Sequence, residues 1–294
     1  MNTTQTKSRS LLETFEHGDL LEVLRQNNHQ FSAPLFEQSD QVWPIRIYTL
    51  GRFSLLKDEQ PIDFPGRAKR KPMDLLKALI ALGGRDVCQI KIEEILWPDA
   101  DGDAAHRSLD TTLHRLRKLL GNDRVIILRE GKISLNNECC WVDAWAFERM
   151  QSKLESCLDR LFFDNEEDQN IITLATSTLS LYKGSFLGVS SSDSWAIAYR
   201  ERLRSKFIRL LRKVGRFYDA IDAKELALEA YLKGLEIDNL LEEMYQKAME
   251  CYIQLDLRAE ALVLYQRCAN NLQTQLNIRP SQRTEQIYHG LLNS

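Results

Sequence analysis

The 294-residue sequence contains no stretch near the roughly 18 apolar residues that a membrane helix needs, so no membrane partner is expected. Cysteine is scarce and unpatterned. None of Cys88, Cys139, Cys140, Cys157, Cys251 and Cys268 forms a C-x-x-C pair or has a histidine at zinc-ligand spacing. They are expected to be reduced thiols acting as small apolar fillers, with no metal and no cofactor. The phosphate-cradling G-x-x-x-x-G-K-S/T loop is missing, as are G-x-S-x-G and H-E-x-x-H, and no carboxylate pair is singled out by spacing. An enzyme is not expected. Met1–Ser10 is polar and lacks the apolar core of a signal peptide, which makes a cytoplasmic protein the expectation.

What is present fits two globular domains. Hydrophobic residues make up 44% of the chain and charged residues 28%, too apolar a mixture for a mainly disordered protein. The net charge of −3 hides an uneven distribution. Residues 45–136 hold 17 basic and 13 acidic groups, whereas residues 1–44 and 137–294 are both net acidic. A basic block between acidic flanks suggests one module that meets a polyanion.

In that block, Ile45–Leu50 alternates apolar and polar residues as a half-buried strand does, and Phe53–Leu56 and Pro61–Phe64 read as two more short strands. Met73, Leu75, Leu76, Leu79, Ile80 and Leu82 then form one helical face, stopped by Gly83-Gly84. A short helix over 91–97 ends at Pro98, and a third runs from about Asp103 to Leu120. Val125–Leu128 and Lys132–Leu135 flank a hairpin-like turn. Sheet, three helices and hairpin is the order of a winged helix-turn-helix.

The third helix carries the chemical argument. At about 100° per residue, Leu109, Leu113, Leu116 and Leu120 fall in one narrow stripe, and Arg107, Thr111, His114 and Lys118 lie opposite, with Ser108 and Arg115 slightly to one side. A helix in the major groove needs cations for guanine edges and phosphates, and small hydroxyl residues for close approach. Solvated helix faces carry cations too. The element order and Arg129 at the hairpin tip favour nucleic acid, with Lys118 on the phosphates.

Ile45–Asn136 resembles the OmpR-type winged helix of bacterial transcriptional activators of the antibiotic-regulatory-protein class. The resemblance rests on Leu50-Gly-Arg-Phe53, Arg70–Leu79, Leu96-Trp-Pro-Asp-Ala100 and above all Ala105–Gly121. It implies that the third helix is the recognition helix, with Arg107, Ser108, Thr111, Thr112, Arg115 and Arg117 at or near double-stranded DNA. It makes Arg129 the wing arginine that approaches the minor groove, with Lys132 beside it, and brings Arg67, Lys69 and Arg70 near phosphates. Glu130 departs from the pattern, since an acid at the wing tip repels phosphate.

The C-terminal half, 137–294, reads as helical almost throughout. At an offset of 34 residues Tyr218 matches Tyr252, Ala227 matches Ala261, Leu228 matches Leu262 and Tyr231 matches Tyr265, the period of tetratricopeptide helix pairs. The tyrosine stripe is read as core, Gly215 as a tight contact within the first copy, and Gln282–Leu292 as a cap. Leu181–Leu187, Trp195, Glu201–Arg204, Asn277–Ser281 and the junction Trp141–Phe147 are similar to the bacterial transcriptional activation domain. That resemblance implies self-association and contacts to RNA polymerase or a regulatory protein.

The expected fold is thus mainly α with a small α+β part, in three segments: 1–44, an extension with an amphipathic helix over Ser10–Arg25; 45–136, the winged helix; and 137–294, the repeats. The expected function is sequence-specific transcriptional regulation, of the activator kind by resemblance. A protein-interaction adaptor whose winged helix no longer binds DNA stays open as the alternative.

Overall fold

The computed structural model describes residues 43–62, 70–160, 168–188 and 194–293. The expected helix over Ser10–Arg25, the end of the Pro61–Phe64 strand, and Arg67 and Lys69 lie outside them. In chain order, β1 (Ile45–Tyr48), β2 (Ser54–Lys57) and β3 (Gln60–Pro61) precede α1 (Arg70–Ala81). Next come β4 (Val87–Cys88), α2 (Gln89–Leu96), α3 (Gly102–Leu120), β5 (Ile126–Arg129), β6 (Lys132–Leu135), β7 (Cys140–Val142) and α4 (Asp143–Arg160). Six more helices follow among the described residues: α5 (Asp168–Leu181), α6 (Ser194–Ala220), α7 (Lys224–Ile237), α8 (Glu242–Gln254), α9 (Arg258–Leu276) and α10 (Gln282–Asn293). The fold is therefore mainly α with a small β part near the start of the chain.

Two compact units divide these residues. Among the described residues, one contains those of 43–150 with 181–203, and the other contains those of 151–180 with 204–293. In the first, a four-stranded sheet has the order β3-β2-β1-β7, antiparallel except for the β1–β7 pair. Alternation decides the faces: Ile45 and Ile47 are fully buried, whereas Arg46 between them reaches Glu59 at 3.0 Å. The second sheet has the order β4-β6-β5. Two of these strands, β4 and β7, are short pieces that alternation over four or more residues does not reveal.

The leucine stripe of α3 is the keystone of this unit. Leu109, Leu113, Leu116 and Leu120 are at most 1% exposed and share the core with Leu75, Leu76, Leu79 and Ile80 of α1, Ile92 of α2 and Ile133 of β6. Asp101 caps α3 by accepting from Ala104 N at 2.7 Å. Gly121 stops it at φ 63°, a left-handed position that glycine takes without a Cβ clash.

The sheet of β1 is closed by residues beyond position 136. Asp143, at the start of α4, is 2% exposed and accepts from the Thr49 amide and hydroxyl and from the Leu50 and Ala144 amides, at 2.6–2.8 Å. Burial pushes its carboxyl up to about 6, against the pull of those hydrogen bonds. Leu181–Gly188 then straps the same strand end. Leu187 N donates to Thr49 O (2.7 Å), Gly51 N donates to Ser185 O (3.0 Å), and Leu50 bridges to Phe186. A Cβ at Gly51 would stand 3.0 Å from the Lys183 carbonyl, so the close approach needs glycine there. The unit that holds the winged helix thus includes β7, the first turns of α4 and this strap.

In the other unit the 34-residue offset is visible in the backbone. Asp222 and Asp256 both hold positive φ (63° and 59°), and the next amides, Ala223 and Leu257, bond back to Tyr218 and Tyr252 carbonyls at 2.9 and 2.8 Å. The same turn ends α6 and α8, with aspartate where glycine is the usual choice. Ala227 and Ala261 are both fully buried. The tyrosines part ways, which corrects the expectation of a common core stripe. Tyr218 and Tyr231 are 3% and 2% exposed, but Tyr252 and Tyr265 are only half-buried. For Tyr231 the cause is Gly215, whose missing Cβ leaves a slot for its ring. Its equivalent 34 residues on is Met249, fully buried and carrying a long side chain where the first copy has none. Tyr265 stacks instead on Tyr288 of α10, ring centroids 3.9 Å apart, and donates to Glu285 at 2.9 Å.

Candidate nucleic-acid interface

Arg107, Ser108, Thr111, Thr112 and Arg115 lie together in the structure. With Lys71, Trp97 and Ala104 they line an open depression of about 420 Å³ where α1, the end of α2 and α3 meet. Its position follows from the core stripe: once the leucines of α3 are buried against α1, the opposite face must look outward, and Arg107, Thr111, His114, Arg115 and Lys118 are all exposed. Among the described residues, no acidic side chain pairs with Arg107, Arg115 or Lys118. This face offers unneutralised guanidinium and ammonium groups, flanked by hydroxyls, to an anionic partner.

Two predicted site residues have other tasks. Thr112 is only 5% exposed, and its hydroxyl donates to the Ser108 carbonyl at 2.7 Å, so it forms the floor of the depression without a free donor for a base. Arg117 is half-buried and turned away from the exposed face. Its Nη2 and Nε donate to the Ile126 carbonyl of β5 at 3.0 and 3.4 Å. The resemblance assigns both residues to DNA. Spacing alone cannot separate an arginine that reaches solvent from one that reaches a neighbouring strand.

Lys71, Trp97 and Ala104 line the same depression, and sequence reasoning misses all three. Lys71 Nζ donates to the Leu96 carbonyl at 2.6 Å and lies 5.4 Å from the Trp97 ring centroid. A cation at the C-terminal end of α2 is stabilised by the helix dipole and by the ring. Only its place beside Arg70 hints at it. Arg70 is itself well exposed, its Nε 3.9 Å from Asp74.

The wing is the hairpin of β5 and β6. Arg129 pairs with Lys132 across a two-residue turn, so two exposed like charges stand opposite each other. Glu130 and Gly131 hold φ 49° and 70°, the all-positive pattern of a type I′ turn. For glutamate that conformation is strained. Glu130 is also exposed, and it adds an acid to the turn that separates Arg129 from Lys132.

On the other flank of α3, His106 is exposed. Its Nδ1 lies 2.9 Å from Glu93, and a hydrogen bond to that carboxylate, with Asp110 nearby, raises its pKa above the usual histidine value. No cluster of metal-ligating side chains occurs among the described residues, and no helix among them is long and apolar enough to cross a membrane.

Comparison with known proteins bears on the rest of the chain. No curated protein matches the sequence. Among solved structures, Mycobacterium tuberculosis EmbR in complex with a low-affinity phosphopeptide has a similar fold, with a TM-score of 0.64 at 17% sequence identity. The match covers 85% of this chain and 65% of that one, so the present chain spans about two thirds of EmbR's length. A likeness at that identity is one of fold: a winged helix followed by a helical domain. The family model described as "Bacterial transcriptional activator domain" matches residues 142–292, more than half of the chain. By that match, the chain belongs to the bacterial transcriptional activator domain family.

Proposed function

We propose that this protein is a sequence-specific DNA-binding transcriptional regulator of the activator kind. In this reading α3 enters the major groove, where Arg115 reads a base edge and Arg107 and Thr111 approach the same groove. Lys118, Lys71 and Arg70 meet phosphates, and Arg129 with Lys132 carries the wing to the adjacent minor groove. Residues 137–294 supply self-association and contacts to RNA polymerase or a regulatory protein. The observation that carries the proposal is the exposed cationic face of α3, which has no acidic partner among the described residues and sits opposite a fully buried leucine stripe. The family of residues 142–292 supports the activator half of it.

The test is capture of genomic fragments by the purified full-length chain at two salt concentrations, with Arg115→Ala run beside it. A shared motif that disappears in the variant supports base reading. Capture without a motif points to backbone binding alone. One observation favours a second reading, a protein-interaction adaptor: the exposed Glu130 at the wing tip. No retention on DNA at about 50 mM salt, where phosphate contacts are strong, would make the adaptor the leading reading.

A further inference from the structure

A reader of two grooves needs its two reading elements held in register, and the structure contains a device for this. In the β4-β6-β5 sheet, β5 is an edge strand. Asn136 N donates to Val125 O at 2.9 Å, and Ile126 stands opposite Leu135. In an antiparallel ladder the bonding direction alternates, so the Ile126 carbonyl points away from β6 and has no strand to accept from. An edge carbonyl of this kind is ordinarily left to water. Here it takes two N–H groups of the Arg117 guanidinium, at 3.0 and 3.4 Å.

Arg117 stands in the last turn of α3, two residues after Arg115, and Gly121 closes the helix by bonding back to its carbonyl. One side chain therefore joins the end of the recognition helix to the strand that leads straight to the wing tip at Arg129. The planar fork makes the joint directional, which a single-point ammonium cannot reproduce.

We propose that Arg117 is a positioning residue: it fixes the wing relative to the recognition helix, so that Arg115 and Arg129 meet the same duplex in register, and it makes no DNA contact itself. This inference rests on the DNA-binding reading of the winged helix.

The experiment is a double-mutant cycle in the full chain, with affinity measured on a duplex of about 30 base pairs carrying the captured motif, or a mixed-sequence duplex if none emerges. Arg129→Ala alone should weaken binding about tenfold, but less than about twofold in an Arg117→Ala background, because a displaced wing has already lost its contact. Arg115→Ala should lose as much in that background as in the native chain. Arg117→Lys should restore only part of the Arg129 effect. Simple additivity of Arg117→Ala with Arg129→Ala, or unchanged Arg129 dependence, would overturn the proposal.

Amide hydrogen exchange over residues 126–135, without DNA, forms the second arm. Faster exchange there in Arg117→Ala, with the amides of α1 still protected, supports the strut, and unchanged protection overturns it. Should no form of the protein bind DNA, the function reading fails while the exchange arm still decides the strut.

Discussion

Helices α3 and α6 are both long and rich in arginine and lysine, yet they treat their charges in opposite ways. On α6, Arg202 pairs with Glu148 (3.3 Å), Arg204 with Asp238 (2.8 Å), Arg209 with Glu155 (3.0 Å) and Lys213 with Asp159 (2.8 Å). Arg212 and Arg216 share Glu243 at 3.3 and 2.7 Å. Three of these pairs, 148–202, 155–209 and 159–213, keep a constant offset of 54 residues. On α3, by contrast, Arg107, Arg115 and Lys118 meet no acid among the described residues. Counting cations along a helix does not locate a polyanion site. What separates the two helices is whether the fold has already neutralised those cations.

The comparison can be broken or sharpened by experiment. The largest expected effect comes from the buried face of α3. Leu113→Ala should cost about 2–5 kcal/mol of stability in urea unfolding, because that side chain is 1% exposed at the centre of the core. A loss below about 1 kcal/mol would mean that the stripe is not the keystone of its unit.

Asp143 shows a third treatment of charge: buried, held by hydrogen bonds from Thr49, Leu50 and Ala144, and given no ion pair among the described residues. Its folded carboxyl titrates at about 6 against an ordinary 3.8, so between those values the folded chain binds a proton that the unfolded chain has released. The contribution of Asp143 to stability therefore falls as pH rises through that window, by on the order of 3 kcal/mol, since each tenfold difference in proton affinity is worth roughly 1.4 kcal/mol. Urea unfolding from pH 4 to 7 checks this by comparing the native chain with Asp143→Asn, which should lack that part of the slope. Equal slopes would remove Asp143 from the account.

Next come the cations themselves. Arg115→Ala should reduce DNA affinity by about 1–3 kcal/mol and relax base preference, with little change in melting temperature. Lys118→Ala should weaken all sequences alike and flatten the slope of log affinity against log salt by about 0.9. A change in base preference for Lys118→Ala would exchange the two roles. The smallest effect is expected on α6. Arg209→Ala should leave DNA binding unchanged and alter stability by less than about 1 kcal/mol, since that pair is half open to solvent. A DNA-binding defect there would defeat the contrast between the two helices.

Much of this is legible in the sequence. The α3 stripe, its glycine stop and the helix-helix-helix-hairpin order follow from local periodicity and turn chemistry, as do the 34-residue offset and the slot at Gly215. Other features escape for identifiable reasons. Strands β4 and β7 are two and three residues long, too short for alternation to register. The Leu181–Gly188 strap joins β1 through backbone bonds, and a backbone bond leaves no trace in side-chain pattern. Tyr265 is equivalent to Tyr231 by offset, but the difference between them lies at a third position, Met249 in place of Gly215.

The same division runs through the candidate interface. That α3 presents a basic, hydroxyl-bearing face is implicit in the order of its residues, because one helical period sets core and surface together. Which of those residues are available is settled by neighbours distant in sequence. Ile126 draws Arg117 inward, Lys71 enters the depression from another helix, and Thr112 spends its hydroxyl on its own backbone. Periodicity is a property of one element, and so a sequence carries it in full. The pairing of a donor with an acceptor depends on how elements pack, and it exists only once they have.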